Sequence, residues 1–170
     1  SPYAGILANA KPAKRGGFGG HRFVRNHIHE YGFLLSDLGG IYLGGDLQVQ
    51  NRTSGDPAEF AFSGHTLIEE NIVQHSHYFA HGGNGIYIDA GVGGVTIARN
   101  ILSNLSSAAM YIHCGANISA ENNIAAFTNL RDGAKAAVGV GGSVLMGCVS
   151  AAAPFASSCE VSKTRLHRMA

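Results

Sequence analysis

Two aspartates flank copies of the same short strand in this 170-residue chain: Asp37 stands just before Gly-Gly-Ile-Tyr, and Asp89 just after Gly-Ile-Tyr-Ile. If the two strands lie side by side in a parallel sheet, about 4.8 Å apart, carboxyl groups at their ends come close to each other. A carboxyl pair about 5 Å apart, or further if a water must fit between, is the apparatus for hydrolysing a glycosidic bond. Asp37 and Asp89 are therefore the expected catalytic pair. Asp46, which follows its own Gly-Ile-Tyr strand after two extra glycines, is the reserve. The bland role for each is a turn aspartate bonding its own backbone.

Around these acids lie groups that could hold a substrate. Tyr42, Tyr87 and Tyr111 recur at the same place in successive repeats, where an aromatic face would suit a pyranose ring or the rings would simply stack on one another. His81 and His113 could orient a substrate hydroxyl or one of the carboxylates. His75, His77 and His81 form a His-x-His-x3-His cluster, but without the completing carboxylate or cysteine of a known zinc spacing it predicts no metal. No cofactor is expected.

The elements that must position these residues are short β-branched runs separated by Gly and Asn. An asparagine-bearing strand recurs at Ile28, Ile72, Ile101 and Ile124, with gaps of 44, 29 and 23 residues. The Gly-Ile-Tyr strand recurs at Tyr42, Tyr87 and Tyr111, with gaps of 45 and 24. The two series step together, as the coils of a solenoid do. The expected fold is all-β, a right-handed parallel β-helix of about four to five coils with an irregular C-terminal tail. Residues 1–20 read as a lead-in, 21–133 as the β-helix with an insertion at 46–64, and 134–170 as a tail that either caps the solenoid or is foreign to it. Asn71, Asn100 and Asn123, at equivalent places, predict a side-chain ladder between coils.

Composition agrees with tight coiling. Glycine, at 24 residues, is about twice its usual share and charged residues, at 14%, are well below the usual quarter. No run of about 18 apolar residues occurs, so no membrane partner is expected. Residues 1–25 carry five Lys/Arg and no acid, whereas residues 26–130 carry nine acids against Arg52 and Arg99. A body so acidic disfavours nucleic acid, whose phosphates need clustered cations. The same imbalance disfavours a strongly anionic polysaccharide. Three cysteines, Cys114, Cys148 and Cys159, match neither a disulfide framework nor a zinc pattern.

At YGFLLSDLGGIYLGG, NGIYIDAGVGGVTIARNIL and AAMYIHCGANISAENNIAAF the sequence resembles right-handed parallel β-helix proteins of the pectin-lyase-like superfamily. More narrowly, it is similar to secreted glycoside hydrolases acting on plant cell-wall side chains. The resemblance covers about residues 3–130. It implies a sugar-binding face along one side of the solenoid, a polysaccharide or oligosaccharide partner, and an extracellular location, although no signal peptide stands in this chain. Those proteins often read Asp-Glu after Gly-Ile-Tyr-x, and here Ala90 replaces the glutamate. Two alternatives follow: a non-catalytic carbohydrate-binding or structural β-helix, a fragment of a longer enzyme; and a polysaccharide lyase or epimerase, disfavoured because Arg99 is the only Lys or Arg between Arg52 and Arg131.

Overall fold

The computed structural model describes residues 1–10, 20–45, 65–77, 82–89, 92–113, 116–126, 144–147 and 161–162. Its strands, in chain order, are β1 (Ile6–Ala10), β2 (Arg22–Val24), β3 (His27–Tyr31), β4 (Gly39–Gly45), β5 (Thr66–Glu69), β6 (Ile72–Ser76) and β7 (Asn84–Ile88). There follow β8 (Gly93–Ala98), β9 (Ile101–Ser103), β10 (Met110–His113), β11 (Ala116–Glu121), β12 (Ile124–Ala126), β13 (Val144–Gly147) and β14 (Val161–Ser162). No helix occurs among the described residues.

Every pairing is parallel, and the strands form three sheets. Sheet A has the order β1-β4-β7-β10-β13, sheet B β14-β11-β8-β5-β2, and sheet C β12-β9-β6-β3. The chain visits A, B and C in the same cyclic order throughout, an all-β arrangement consistent with a parallel β-helix.

Alternation decides which side chains fill the interior. Ile41, Ile86 and Met110 stack in register, as do Leu43, Ile88 and Ile112. Ile68, Ile97 and Ala120 continue the core from sheet B, and Ile28, Val73 and Leu102 from sheet C, all of them buried. Each large aliphatic side chain so buried contributes about 1.5–3 kcal/mol of transfer free energy.

The register corrects one reading of the repeats. Ile28 pairs with Val73, while Ile72 stacks with His27, Ile101 and, beyond it, Ile124. Ile72 and Ile101 therefore face outward and are exposed, not core. A slip of one residue moves a side chain to the other face of a strand, so the isoleucines could not align the first repeat. The asparagines could: Asn26, Asn71, Asn100 and Asn123 are spaced by 45, 29 and 23 residues.

These four asparagines form a continuous ladder at the bend between sheets B and C. Asn26 Nδ2 donates to Asn71 Oδ1 at 2.8 Å, Asn71 Nδ2 to Asn100 Oδ1 at 2.9 Å, and Asn100 Nδ2 to Asn123 Oδ1 at 2.9 Å. Each Oδ1 also accepts the backbone N–H of the previous asparagine. The second Nδ2 proton goes to the carbonyl of Phe23, Ile68 or Ile97. The residue before each asparagine, Arg25, Glu70, Arg99 or Asn122, turns the corner with φ of 59°, 56°, 56° or 54°. A left-handed residue leaves backbone groups without sheet partners, and the ladder supplies them.

Tyr42 and Tyr87 are directly registered, so the 45 residues separating them span a single step of sheet A. The insertion expected at 46–64 lies outside the described residues.

Candidate functional site

Sheet A presents its second face, opposite the core, as a row of aromatic rings. Tyr42 and Tyr87 stack at 4.6 Å with planes 6° apart, and Tyr87 and Tyr111 at 4.7 Å and 26°. Tyr3 joins the row, 6.1 Å from Tyr42 and tilted. Because the rings cover one another's faces, Tyr87 is only 3% exposed. A pyranose cannot lie flat on it. What the row offers outward is ring edges, the hydroxyls of Tyr42 and Tyr3 being turned to Asp89 and to the Asp37 carbonyl.

Two residues further along the strands, parity puts the next outward side chains beside this row. Gly44, Asp89 and His113 follow Leu43, Ile88 and Ile112, which are mutual register partners. Gly44 carries no side chain, and the ring of Tyr42 lies over it: a Cβ there would sit 3.3 Å from Tyr42 Cε2 and 3.7 Å from its hydroxyl oxygen. The Tyr42 hydroxyl thereby reaches across and donates to Asp89 Oδ2 at 2.7 Å. On the far side His113 Nδ1 meets Asp89 Oδ1 at 2.7 Å. An ionised carboxylate only accepts, so this contact makes Nδ1 the proton-bearing nitrogen of His113.

The glycines before these strands have a packing reason. A Cβ on Gly40 would lie 2.3 Å from Val73 Cγ1, and one on Gly85 would lie 2.5 Å from the Ala109 carbonyl. Only glycine lets the chain pass so close to the interior where it enters sheet A. The Gly-Gly-Ile-Tyr and Asn-Gly-Ile-Tyr motifs thus serve the fold, and the tyrosine and aspartate that follow inherit their places from it.

Asp37 does not occupy the position equivalent to Asp89. Gly39 pairs with Asn84, which puts Asp37 at the entry of β4 and Asp89 beyond the exit of β7. The residue turns with φ 57°, and its carbonyl accepts from the Tyr3 hydroxyl at 2.8 Å. The two acids nonetheless share one field: the charges of both Asp37 and Asp89 raise the pKa of Tyr3, Tyr42 and Tyr87. In all three the larger cause is burial, which disfavours the phenolate. For Tyr42 the hydrogen bond to Asp89 comes next, since it too requires the protonated hydroxyl.

Among the expected site residues, Tyr42, Tyr87, Asp89 and His113 come together on this face, with Asp37 acting on it electrostatically. Asp46, His81 and Ala90 lie outside the described residues. Tyr3 was not among the expected site residues. No sequence period marks it, because its place is set by a contact 34 residues away.

Several other described histidines serve contacts elsewhere. His77 Nε2 lies 2.5 Å from Glu30 Oε2 and its ring stacks on Phe33 at 3.9 Å, holding the Glu30 carboxyl below the usual range chiefly through that hydrogen bond. His27 pairs with Gln74 at 3.0 Å, and His65 meets the Thr96 hydroxyl. Among the described residues no three His, Cys, Asp or Glu side chains are placed to hold a metal ion. Arg99 bridges Glu69 at 2.9 Å and Glu70 at 3.5 Å, so this cation is engaged at the B–C bend.

The fold and site together define a class: an all-β protein of stacked parallel strands with a tyrosine, aspartate and histidine constellation on the outside of one sheet. No family model, curated protein or solved structure matches the chain.

Proposed function

We propose that the chain is a right-handed parallel β-helix of the pectin-lyase-like kind, with about four to five coils, and that the tyrosine face of sheet A is a carbohydrate site. Its activity is hydrolysis of a glycosidic bond in a polysaccharide side chain, in an extracellular setting. Asp37 and Asp89 are the two carboxyl groups of the reaction. The observation that carries this reading is that one tyrosine row reaches both acids: the Tyr42 hydroxyl donates to Asp89 Oδ2 at 2.7 Å and the Tyr3 hydroxyl to the Asp37 carbonyl at 2.8 Å, with the two rings 6.1 Å apart. Hydroxyl edges and carboxylates suit the hydrogen-bonding demands of a neutral sugar. A lyase or epimerase reading is weaker, since Arg99 is bound to two glutamates.

A second reading has its own support. Both oxygens of Asp89 are already in hydrogen bonds within the protein, and Ala90 stands where the resembling hydrolases carry glutamate. A non-catalytic sugar-binding β-helix would look like this.

The deciding experiment is hydrolysis of fucosyl, xylosyl, arabinosyl and galactosyl aryl glycosides by the purified chain, with Asp37→Asn and Asp89→Asn in parallel. Turnover lost in either variant supports the hydrolase. No turnover from protein that circular dichroism shows to be folded selects the binding solenoid.

A further inference from the structure

We propose that Asp89 and His113 work as one unit, in which Asp89 is the positioning residue and His113 Nε2 takes the proton of the attacking water. This inference rests on the hydrolase reading above. It moves the contact with the attacking water from Asp89 to His113 and leaves Asp89 to hold the imidazole.

The argument begins with the two ends of the pair. Asp89 is the more enclosed member, its side chain 16% exposed against 34% for His113. Its Oδ2 accepts from Tyr42 and its Oδ1 from His113 Nδ1, each at 2.7 Å. A carboxylate held in this way is poorly placed to touch substrate and well placed to hold a neighbour. The end of the pair that faces outward is the imidazole. Among the described residues its only hydrogen-bond partner is Asp89, through Nδ1.

A carboxylate on Nδ1 fixes the tautomer in which Nε2 carries the lone pair, and it stabilises the imidazolium formed when Nε2 accepts a proton. Ring placement is also fixed: His113 stacks against Tyr111 with centroids 6.0 Å apart. Among the described residues the groups that face it are thus Asp89 and Tyr111. Behind Asp89 stands Tyr42, with the charge of Asp37 on the same tyrosine row. The position registered beyond His113 is Gly147, a residue without a side chain.

The chemistry balances with water as the only co-reactant. Water oxygen attacks the anomeric carbon and its proton passes to His113 Nε2. The bond from that carbon to the leaving oxygen breaks with its electron pair on oxygen, which takes a proton from solvent. Imidazolium then returns a proton to solvent, so the step is balanced. A single displacement of this kind inverts the anomeric configuration.

The test combines nitrogen-15 NMR of the imidazoles with hydrolysis of the aryl glycoside panel by wild type, His113→Ala and Asp89→Asn. Expected are an Nδ1-protonated neutral His113 in the wild type, a loss of about 10²–10⁴ in kcat for His113→Ala, and an inverted product. In Asp89→Asn the nitrogen-15 spectrum shows mixed His113 tautomers, because an amide can donate as well as accept, and kcat falls with KM little changed. A purely structural Asp89 would leave the tautomer as in the wild type. An Nε2-protonated His113, a retained product or full turnover by His113→Ala overturns the inference while leaving the hydrolase reading in place. Absence of turnover by the wild type on every glycoside overturns both. Should a variant fail to fold, the wild-type tautomer and the product anomer still decide.

Discussion

The Tyr42 hydroxyl donates to Asp89 Oδ2 at 2.7 Å although the two residues are 47 positions apart, and it reaches by lying over Gly44. Three residues on two neighbouring strands are thereby interlocked. A hydrogen bond to a charged, mostly enclosed group contributes about 1.5–3 kcal/mol. Tyr42→Phe keeps the ring stack and removes this bond together with the hydroxyl's contact to Tyr3, so chemical denaturation should show a loss of at least that size. Gly44→Ala puts a methyl 3.3 Å from the ring. It should shift the hydroxyl off Asp89 and lower hydrolysis of an aryl glycoside while costing less stability than Tyr42→Phe.

The asparagine ladder is expected to be the most sensitive polar element of the fold. Asn100→Ala removes the acceptor of both the Asn71 backbone N–H and Asn71 Nδ2, and the donor to the Ile68 carbonyl. Asn100 itself is fully buried, and water does not replace these partners. With roughly 1–3 kcal/mol for each unsatisfied buried group, the loss should be about 3 kcal/mol or more, read as a fall in the denaturation midpoint. Asn100→Asp, which has no Nδ2 donor and adds a buried charge, should be at least as damaging.

Close approach at Gly40 allows a test by double substitution. A Cβ there would lie 2.3 Å from Val73 Cγ1 and 3.1 Å from Tyr31 Cζ. Gly40→Ala should cost about 1–3 kcal/mol through overpacking. Combining it with Val73→Ala should cost less than the sum of the two single changes, because the second removes the clashing methyl. Strict additivity in urea denaturation would argue against the close contact.

Alkali should unfold the protein through its tyrosines. Burial raises the pKa of Tyr31, Tyr42 and Tyr87 well above 10. A group whose folded pKa is raised contributes stability that is complete below its unfolded pKa, about 10 for tyrosine, and lost as pH climbs above it. Absorbance at the tyrosinate band should therefore show these three of the six tyrosines ionising only together with loss of the β circular dichroism signal. Independent titration of all six near pH 10 would contradict the burial.

Much of the architecture is written in the chain's own spacing. The recurrence of Gly-Ile-Tyr, in the form Met-Tyr-Ile-His at Tyr111, determined that β4, β7 and β10 are neighbours in sheet A, and the asparagines determined the stacking at the B–C bend, because each repeat places the same residue type at the same step of backbone. What spacing could not determine was which residues meet across a step. Asp37 and Asp89 look equivalent beside identical strands, yet register puts them at opposite ends, since one precedes its strand and the other follows it. Ile28 and Ile72 look equivalent and face opposite ways, since alternation makes a single residue of offset a change of face. Likewise the partnership of Asp89 with Tyr42 and His113 depends on Gly44 leaving room for a ring, a matter of side-chain volume in three dimensions that no linear period encodes.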